Sequence, residues 1–199
     1  MCLLFESIKI EKGIAQNLHL HQERMQRSGE ALFEGVTFPA LDKYVRLPDS
    51  FDTNRLIKCR VMYSRQIEHI EYEYYTPRQI RSLKIVHVDH LEYTHKFVDR
   101  SGIDRLFSQR GEADDILIIK NGVATDTSMA NICFWHHERW ITPATPLLKG
   151  TKRQELLQGG KLFEQNIQAD EILHLRKACL INAMMEPIPR QMIFFLDCK

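Results

Sequence analysis

The chain is predicted to be α+β, with two α/β halves packed together. Three observations predict it. β-type runs outnumber helical ones. Adjacent β-runs before and after Glu68, and the turn Lys120-Asn121-Gly122, read as hairpins. A polar, aperiodic stretch at His90–Thr94 interrupts the pattern. It separates a small α/β domain, 1–90, from a larger β-rich domain, 96–199, with 91–95 as the connection.

Residues 3–10 (LLFESIKI) alternate as a strand, and Gly13 turns the chain. His19–Glu34 is helical, with Leu18, Met25, Leu32 and Phe33 apolar and Gly35 closing it. Leu41–Val45 fits a short helix. Arg55–Arg65 and Glu68–Tyr75 form a hairpin, and Ser82–Val88 is a strand. Val98–Arg110 is expected to be a helix stopped by Gly111. Asp115–Ile119 is a strand, and Asn131–Trp135 pairs with Arg139–Thr142 around HHER. Thr151–Gln158 is a short helix closed by Gly159-Gly160. Ile172–Arg176 is another, and Ala178–Ala183 and Gln191–Leu196 are strands. No repeat or low-complexity segment interrupts the chain.

Composition narrows the function classes. An apolar share of 44% supplies a core for 199 residues, and a net charge of +1 favours neither nucleic acid nor an anionic membrane. No apolar run approaches the roughly 20 residues that cross a bilayer. The opening MCLLFESIKIEKG lacks a basic region and a cleavage site, so it reads as a buried strand rather than a signal peptide. The five cysteines (Cys2, Cys59, Cys133, Cys179, Cys198) are scattered, with no CxxC pair. They read as reduced and structural, which fits a cytoplasmic protein. The terminal LDCK is not a prenylation box.

The richest stretch runs DILIIKNGVATDTSMANICFWHHERWITPATPLLKGTKR from Asp115 to Arg153. An acid, Asp126, stands between two β-type runs. Gly150-Thr151-Lys152-Arg153 opens a helix, and Lys96 lies upstream in EYTHKFVDR. An amine, an acid and an anion-binding turn are what pyridoxal phosphate requires: a Schiff-base nitrogen, a carboxylate at the ring nitrogen and donors for the phosphate.

The order of these pieces resembles the class IV aminotransferases, the fold-type IV pyridoxal-phosphate enzymes. That family includes branched-chain and D-amino-acid aminotransferases and aminodeoxychorismate lyase. The resemblance covers nearly the whole chain. It rests on TDTSMANICFW, the Thr-Pro of ITPATP, GTKRQELL, His21-Gln22-Glu23-Arg24 as a His-x-x-Arg, and Lys96-Phe97-Val98-Asp99 beside the family's Lys-x-x-Asn. Two departures stand out. Asp126 replaces the usual Glu and is one methylene shorter, and the fold is expected to be shortened at its N-terminus.

The resemblance implies a two-domain D-amino-acid-aminotransferase-like fold with pyridoxal 5'-phosphate in the cleft between the domains, and a homodimer. It assigns Lys96 as the catalytic amine, which must be neutral to react. Asp126 faces the ring nitrogen, and Arg24 takes the phosphate through a bidentate fork. The amides of Thr151 and Lys152 also take the phosphate, with Gly150 allowing close approach. Each has an ordinary alternative: a solvated lysine, an Asx-turn acid, an exposed helix arginine, a Thr N-cap.

His21 shares Arg24's helix face as a buttress, and Arg27 is expected to be solvated. Arg60, Tyr63, Tyr93 and Asn182 are candidates for binding a small amino substrate, against simple sheet packing. Asn182-Ala183 resembles the lyase branch, and Arg60 the aminotransferases. His136 and His137 are adjacent, so they point opposite ways on a strand, and no metal is expected. Met184-Met185 reads as core.

The expected activity is that of a 4-amino-4-deoxychorismate lyase, which releases pyruvate and forms 4-aminobenzoate for folate synthesis. The first alternative is transamination between an amino acid (branched-chain or D-) and a 2-oxo acid. The second is a catalytically degenerate binding protein, against which Lys96 speaks.

Overall fold

A computed structural model describes residues 2–175, 177–187 and 193–196. The chain divides into two compact units. The first comprises residues 1–77 together with 95–99, and the second 78–94 together with 100–199.

The first unit begins with β1 (Leu4–Glu11), which turns through Lys12 and Gly13, both at positive φ, into β2 (Ile14–Ala15). Helix α1 (Leu18–Leu32) follows, then a 3-10 turn at Leu41–Lys43 and the hairpin β3 (Ile57–Tyr63) and β4 (Ile67–Tyr74). The four strands form one sheet in the order β2-β1-β3-β4. Strand β3 alternates strictly. Ile57, Cys59, Val61 and Tyr63 are buried, while Lys58, Arg60 and Met62 are partly exposed on the other face. Strand β1 pairs with β3 in a register that sets Leu4 against Tyr63 and Ser7 against Arg60. Helix α1 buries Leu20, His21, Arg24, Met25, Ser28 and Gly29. That is the stripe a core-facing helix presents, except that three of its members carry polar side chains.

The second unit contains β5 (Ser82–Val88), α2 (Ser101–Phe107), β6 (Asp115–Lys120), β7 (Val123–Thr127), β8 (Asn131–His136) and β9 (Arg139–Pro143). Helix α3 (Thr151–Gln158), β10 (Phe163–Gln165), β11 (Ala178–Ile181) and β12 (Phe194–Leu196) complete the described elements. The strands form a mixed sheet ordered β10-β9-β8-β7-β6-β5-β12, with β11 paired to β8. Its core gathers Leu83, Leu117, Ile132, Phe134, Ile141 and Leu180. Strand β6 is buried along nearly its whole length, as a central strand must be. Asn121 and Gly122 at φ 51° and 81° make the β6–β7 turn the primed hairpin that Asn-Gly encodes.

The mixed α/β class stands, and several elements differ in detail from expectation. The helix expected from Val98 starts at Ser101. Residues 95–99 instead run beside β1: Phe5 N–H donates to Lys96 O (3.0 Å) and Val98 N–H to Leu3 O (2.8 Å). By this pairing Lys96 falls within the first unit, whereas residues 91–94 fall within the second. The structure adds β2 and β10 to the expected strands, and β7 is the second arm of the hairpin expected at Lys120-Asn121-Gly122. Of the expected Ile172–Arg176 helix, a 3-10 turn at Ala169–His174 forms, and Arg176 lies outside the described residues, as do 191 and 192 of the last strand.

Candidate active site

The first unit holds a buried acid that sequence reasoning missed. Glu6, on β1, has no exposed surface. His21 Nδ1 donates to Glu6 Oε2 at 2.6 Å, and Arg24 donates from Nε to Oε1 at 2.9 Å and from NH2 to Oε2 at 2.5 Å. Burial opposes the ionised form of Glu6. The Arg24 charge and the bonds from His21 outweigh it and bring the Glu6 pKa down to about 2. Burial lowers His21, helped by the positive charges of Arg24 and Lys96, so it stays neutral and its proton sits on Nδ1. Arg24, expected to meet a phosphate, is therefore already oriented by a carboxylate. Its spacing of three from His21 puts both on one helix face, over β1. Arg27 is half exposed beside Glu23.

Lys96 is half-buried in this unit. Its Nζ stands 4.6 Å from the centre of the Phe5 ring, and the Arg60 guanidinium stands 4.5 Å from the same ring. Arg60 also lies 3.7 Å from Glu71. Tyr63 packs in the core of this unit. It is fully buried, edge-on to Phe38 at 5.2 Å, because its place at the end of the inward face of β3 leaves the ring no route to solvent.

The second unit holds Asp126, which is 5% exposed. It lies on β7 itself, rather than between strands. Thr127 closes the following turn: its N–H donates to Ala130 O at 2.9 Å, and its hydroxyl oxygen accepts from the Ala130 N–H at 3.1 Å. That tight turn sets Asp126 opposite Asn131 on β8. Asn131 Nδ2 donates to Asp126 Oδ1 at 2.7 Å, and Leu148 N–H donates to Asp126 Oδ2 at 2.9 Å. Burial pushes Asp126 up to about 6, although these donors and the Arg153 charge pull the other way. The carboxyl stays desolvated despite the Arg153 charge, and a protonated ring nitrogen would complement its ionised form. The residues present fit that group.

Gly150 caps α3 without a side chain, and the first turn of the helix (Thr151, Lys152, Arg153) is buried. Lys152 Nζ pairs with Glu155 (2.8 Å) and Glu186 (2.9 Å). Burial acts against its charge, but the two carboxylates win and raise its pKa. Arg153 NH2 donates to Pro143 O at 2.8 Å and to Glu164 at 2.6 Å. The Thr-Pro strand end and the Gly-x-x-Arg turn are thus joined physically. Asn182 organises the turn after β11: its Oδ1 accepts from Met184 N–H at 2.9 Å, and its Nδ2 donates to Met129 O at 3.2 Å. Tyr93 is buried in the second unit. His136 and His137 sit at the tip of the β8–β9 hairpin, with His137 at φ 44°. Among the described residues no helix is long and apolar enough to cross a membrane.

Comparison with known proteins places the chain among its relatives. The family model described as amino-transferase class IV matches residues 3–191. A Haemophilus influenzae protein is 42% identical over 183 residues, covering 91% of this chain and 97% of the relative. A crystal structure from Haemophilus somnus, of a protein proposed to be a 4-amino-4-deoxychorismate lyase, superposes with a TM-score of 0.83. The two are 32% identical, over 92% of this chain and 97% of that one. A hypothetical aminotransferase from Mycobacterium tuberculosis, solved with pyridoxal phosphate bound, shares the fold. Its TM-score is 0.76 at 15% identity, over 97% of this chain and 81% of that one.

Proposed function

We propose, from the premise that the chain belongs to the class IV aminotransferase family, that it is a pyridoxal-phosphate enzyme acting as a 4-amino-4-deoxychorismate lyase. The observation that carries the cofactor reading is the buried Asp126 carboxyl, held by N–H donors from Asn131 and Leu148 and pushed up to about 6 by burial. The likeness to the Haemophilus somnus protein supports the lyase over its relatives.

When bound, the cofactor supplies an electron sink for the carbanion formed next to the substrate nitrogen. Asp126 would keep the ring nitrogen protonated. Arg24, set in plane by Glu6, and the amides of Thr151 and Lys152 would hold the phosphate. Lys96 Nζ, once neutral, takes a proton from the substrate carbon and returns one later, as general base and then general acid. Arg60 would bind a substrate carboxylate, and Tyr93 and Asn182 would shape the pocket. The reaction divides aminodeoxychorismate into pyruvate and 4-aminobenzoate, which places it in folate synthesis. A homodimer in the cytoplasm is part of the same proposal.

One observation favours transamination as a second reading. Arg60 and Lys96 lie over a common ring, a spacing that suits a cation holding an amino-acid carboxylate beside the reacting amine. A coupled assay separates the two. The lyase forms pyruvate and 4-aminobenzoate from aminodeoxychorismate, whereas a transaminase forms glutamate from 2-oxoglutarate and an amino acid. Activity in the second assay alone rejects the lyase.

A further inference from the structure

We infer that Asn131 is a positioning residue that locks the acid for the cofactor ring, Asp126, to the glycine turn for its phosphate, making one rigid cradle of the two. This rests on the cofactor reading above. Three observations within the second unit carry it. Asn131 Nδ2 donates both to Asp126 Oδ1 (2.7 Å) and to Leu148 O (2.9 Å), while Leu148 N–H donates back to Asp126 Oδ2 (2.9 Å). These bonds close a loop of acid, amide and backbone just ahead of α3.

The second observation is the other end of the same amide. Asn131 Oδ1 occupies the space where a Cβ at residue 150 would stand. The third is the backbone of Gly150, at φ −69° and ψ 146°, a conformation open to any L residue. Glycine is thus required at 150 by the Asn131 side chain and not by the backbone. A methyl group there displaces the amide and breaks its bonds to Asp126 and Leu148.

The residue type follows from these demands. The position needs a donor toward Asp126 and an oxygen compact enough to sit against Gly150. Aspartate loses the donor and sets a second carboxylate against Asp126. Glutamine is a methylene too long for the same space, and alanine fills neither role. Asn131 reaches the cofactor through Asp126 and Gly150.

The test is a titration of the full chain with pyridoxal phosphate at several pH values, for wild type, N131A, G150A and N131A/G150A. N131A should bind about ten- to a hundredfold more weakly, the range typical when a group orienting a ligand-holding side chain is removed. Because a donor to the Asp126 carboxylate is lost while the Arg153 charge and the Leu148 amide remain, the pH below which binding weakens should move upward. A merely structural role does not move that pH.

G150A should show the same loss and the same shift. The double variant should bind no worse than the weaker single one, since both changes break one contact. If N131A does not fold, G150A alone decides, because it displaces the amide without removing it. Wild-type affinity and an unmoved pH in the folded variants overturn the inference, as do losses that multiply in the double variant. A wild-type chain that binds no pyridoxal phosphate removes the proposed function, and the positioning role with it.

Discussion

Glu6 and Arg24 meet through two nitrogens of one guanidinium, Nε at 2.9 Å and NH2 at 2.5 Å, with the carboxylate fully buried. Strand β1, not solvent, therefore sets the plane of Arg24. Glu6→Ala leaves a buried arginine without its acid. It is expected to cost about 3–5 kcal/mol of stability, read by urea unfolding of the cofactor-free chain. Affinity for pyridoxal phosphate should fall as well, because the fork loses its orientation. Unchanged stability refutes the pairing.

Asp126 makes a pH-dependent prediction. Its folded pKa is raised from 3.8 to about 6. A raised acid costs stability when ionised, and the cost fades as pH falls from the folded value toward the ordinary one. The stability of wild type relative to D126N should therefore rise between pH 7 and pH 4, by about 2–3 kcal/mol. Differencing the two chains removes His21, whose lowered pKa acts in the opposite sense, and Glu6, whose stabilisation is lost only as pH falls from 4.5 toward 2. Parallel melting curves across this range would contradict the burial of the acid.

Arg60 shares the Phe5 ring with Lys96. Arg60→Ala is expected to raise KM for the carboxylate substrate about tenfold while leaving kcat nearly unchanged, as loss of uniform binding does. A fall in kcat with KM constant would place Arg60 in proton transfer instead.

Gly29 gives a packing prediction. A Cβ there would stand 2.5 Å from Phe38 Cε2, and Phe38 is itself wedged edge-on against Tyr63. Gly29→Ala gains about 1 kcal/mol of helix propensity and meets an overpacking cost of about 1–3 kcal/mol. The net change should be a lower melting temperature, and a higher one would show that Phe38 yields.

Local patterns made much of the fold legible. The period of α1, the alternation of β3 and the Asn-Gly turn after β6 all express rules that act over a few residues. Residues 95–99 do not. Their pairing with β1 joins positions about 90 apart in sequence, and no local signal foretells it. Glu6 escaped for a related reason. In LLFESIKI it looks like the exposed member of an alternating strand, yet β1 is buried on both faces. The signal lay in α1, whose buried stripe contains a histidine and an arginine that together call for an acid. Asp126 was legible as an acid between β-runs, but its tie to Gly150 through Asn131 was not. That glycine has an unremarkable backbone, and its reason is a neighbour's side chain.

The central claim is that Lys96 carries the cofactor. It is tested most directly by incubating the chain with pyridoxal phosphate, reducing with borohydride, digesting, and locating the modified residue by mass spectrometry. The account predicts a phosphopyridoxyl group on the peptide containing Lys96 and its absence from K96A. Modification settled on another lysine, or none above background, contradicts it.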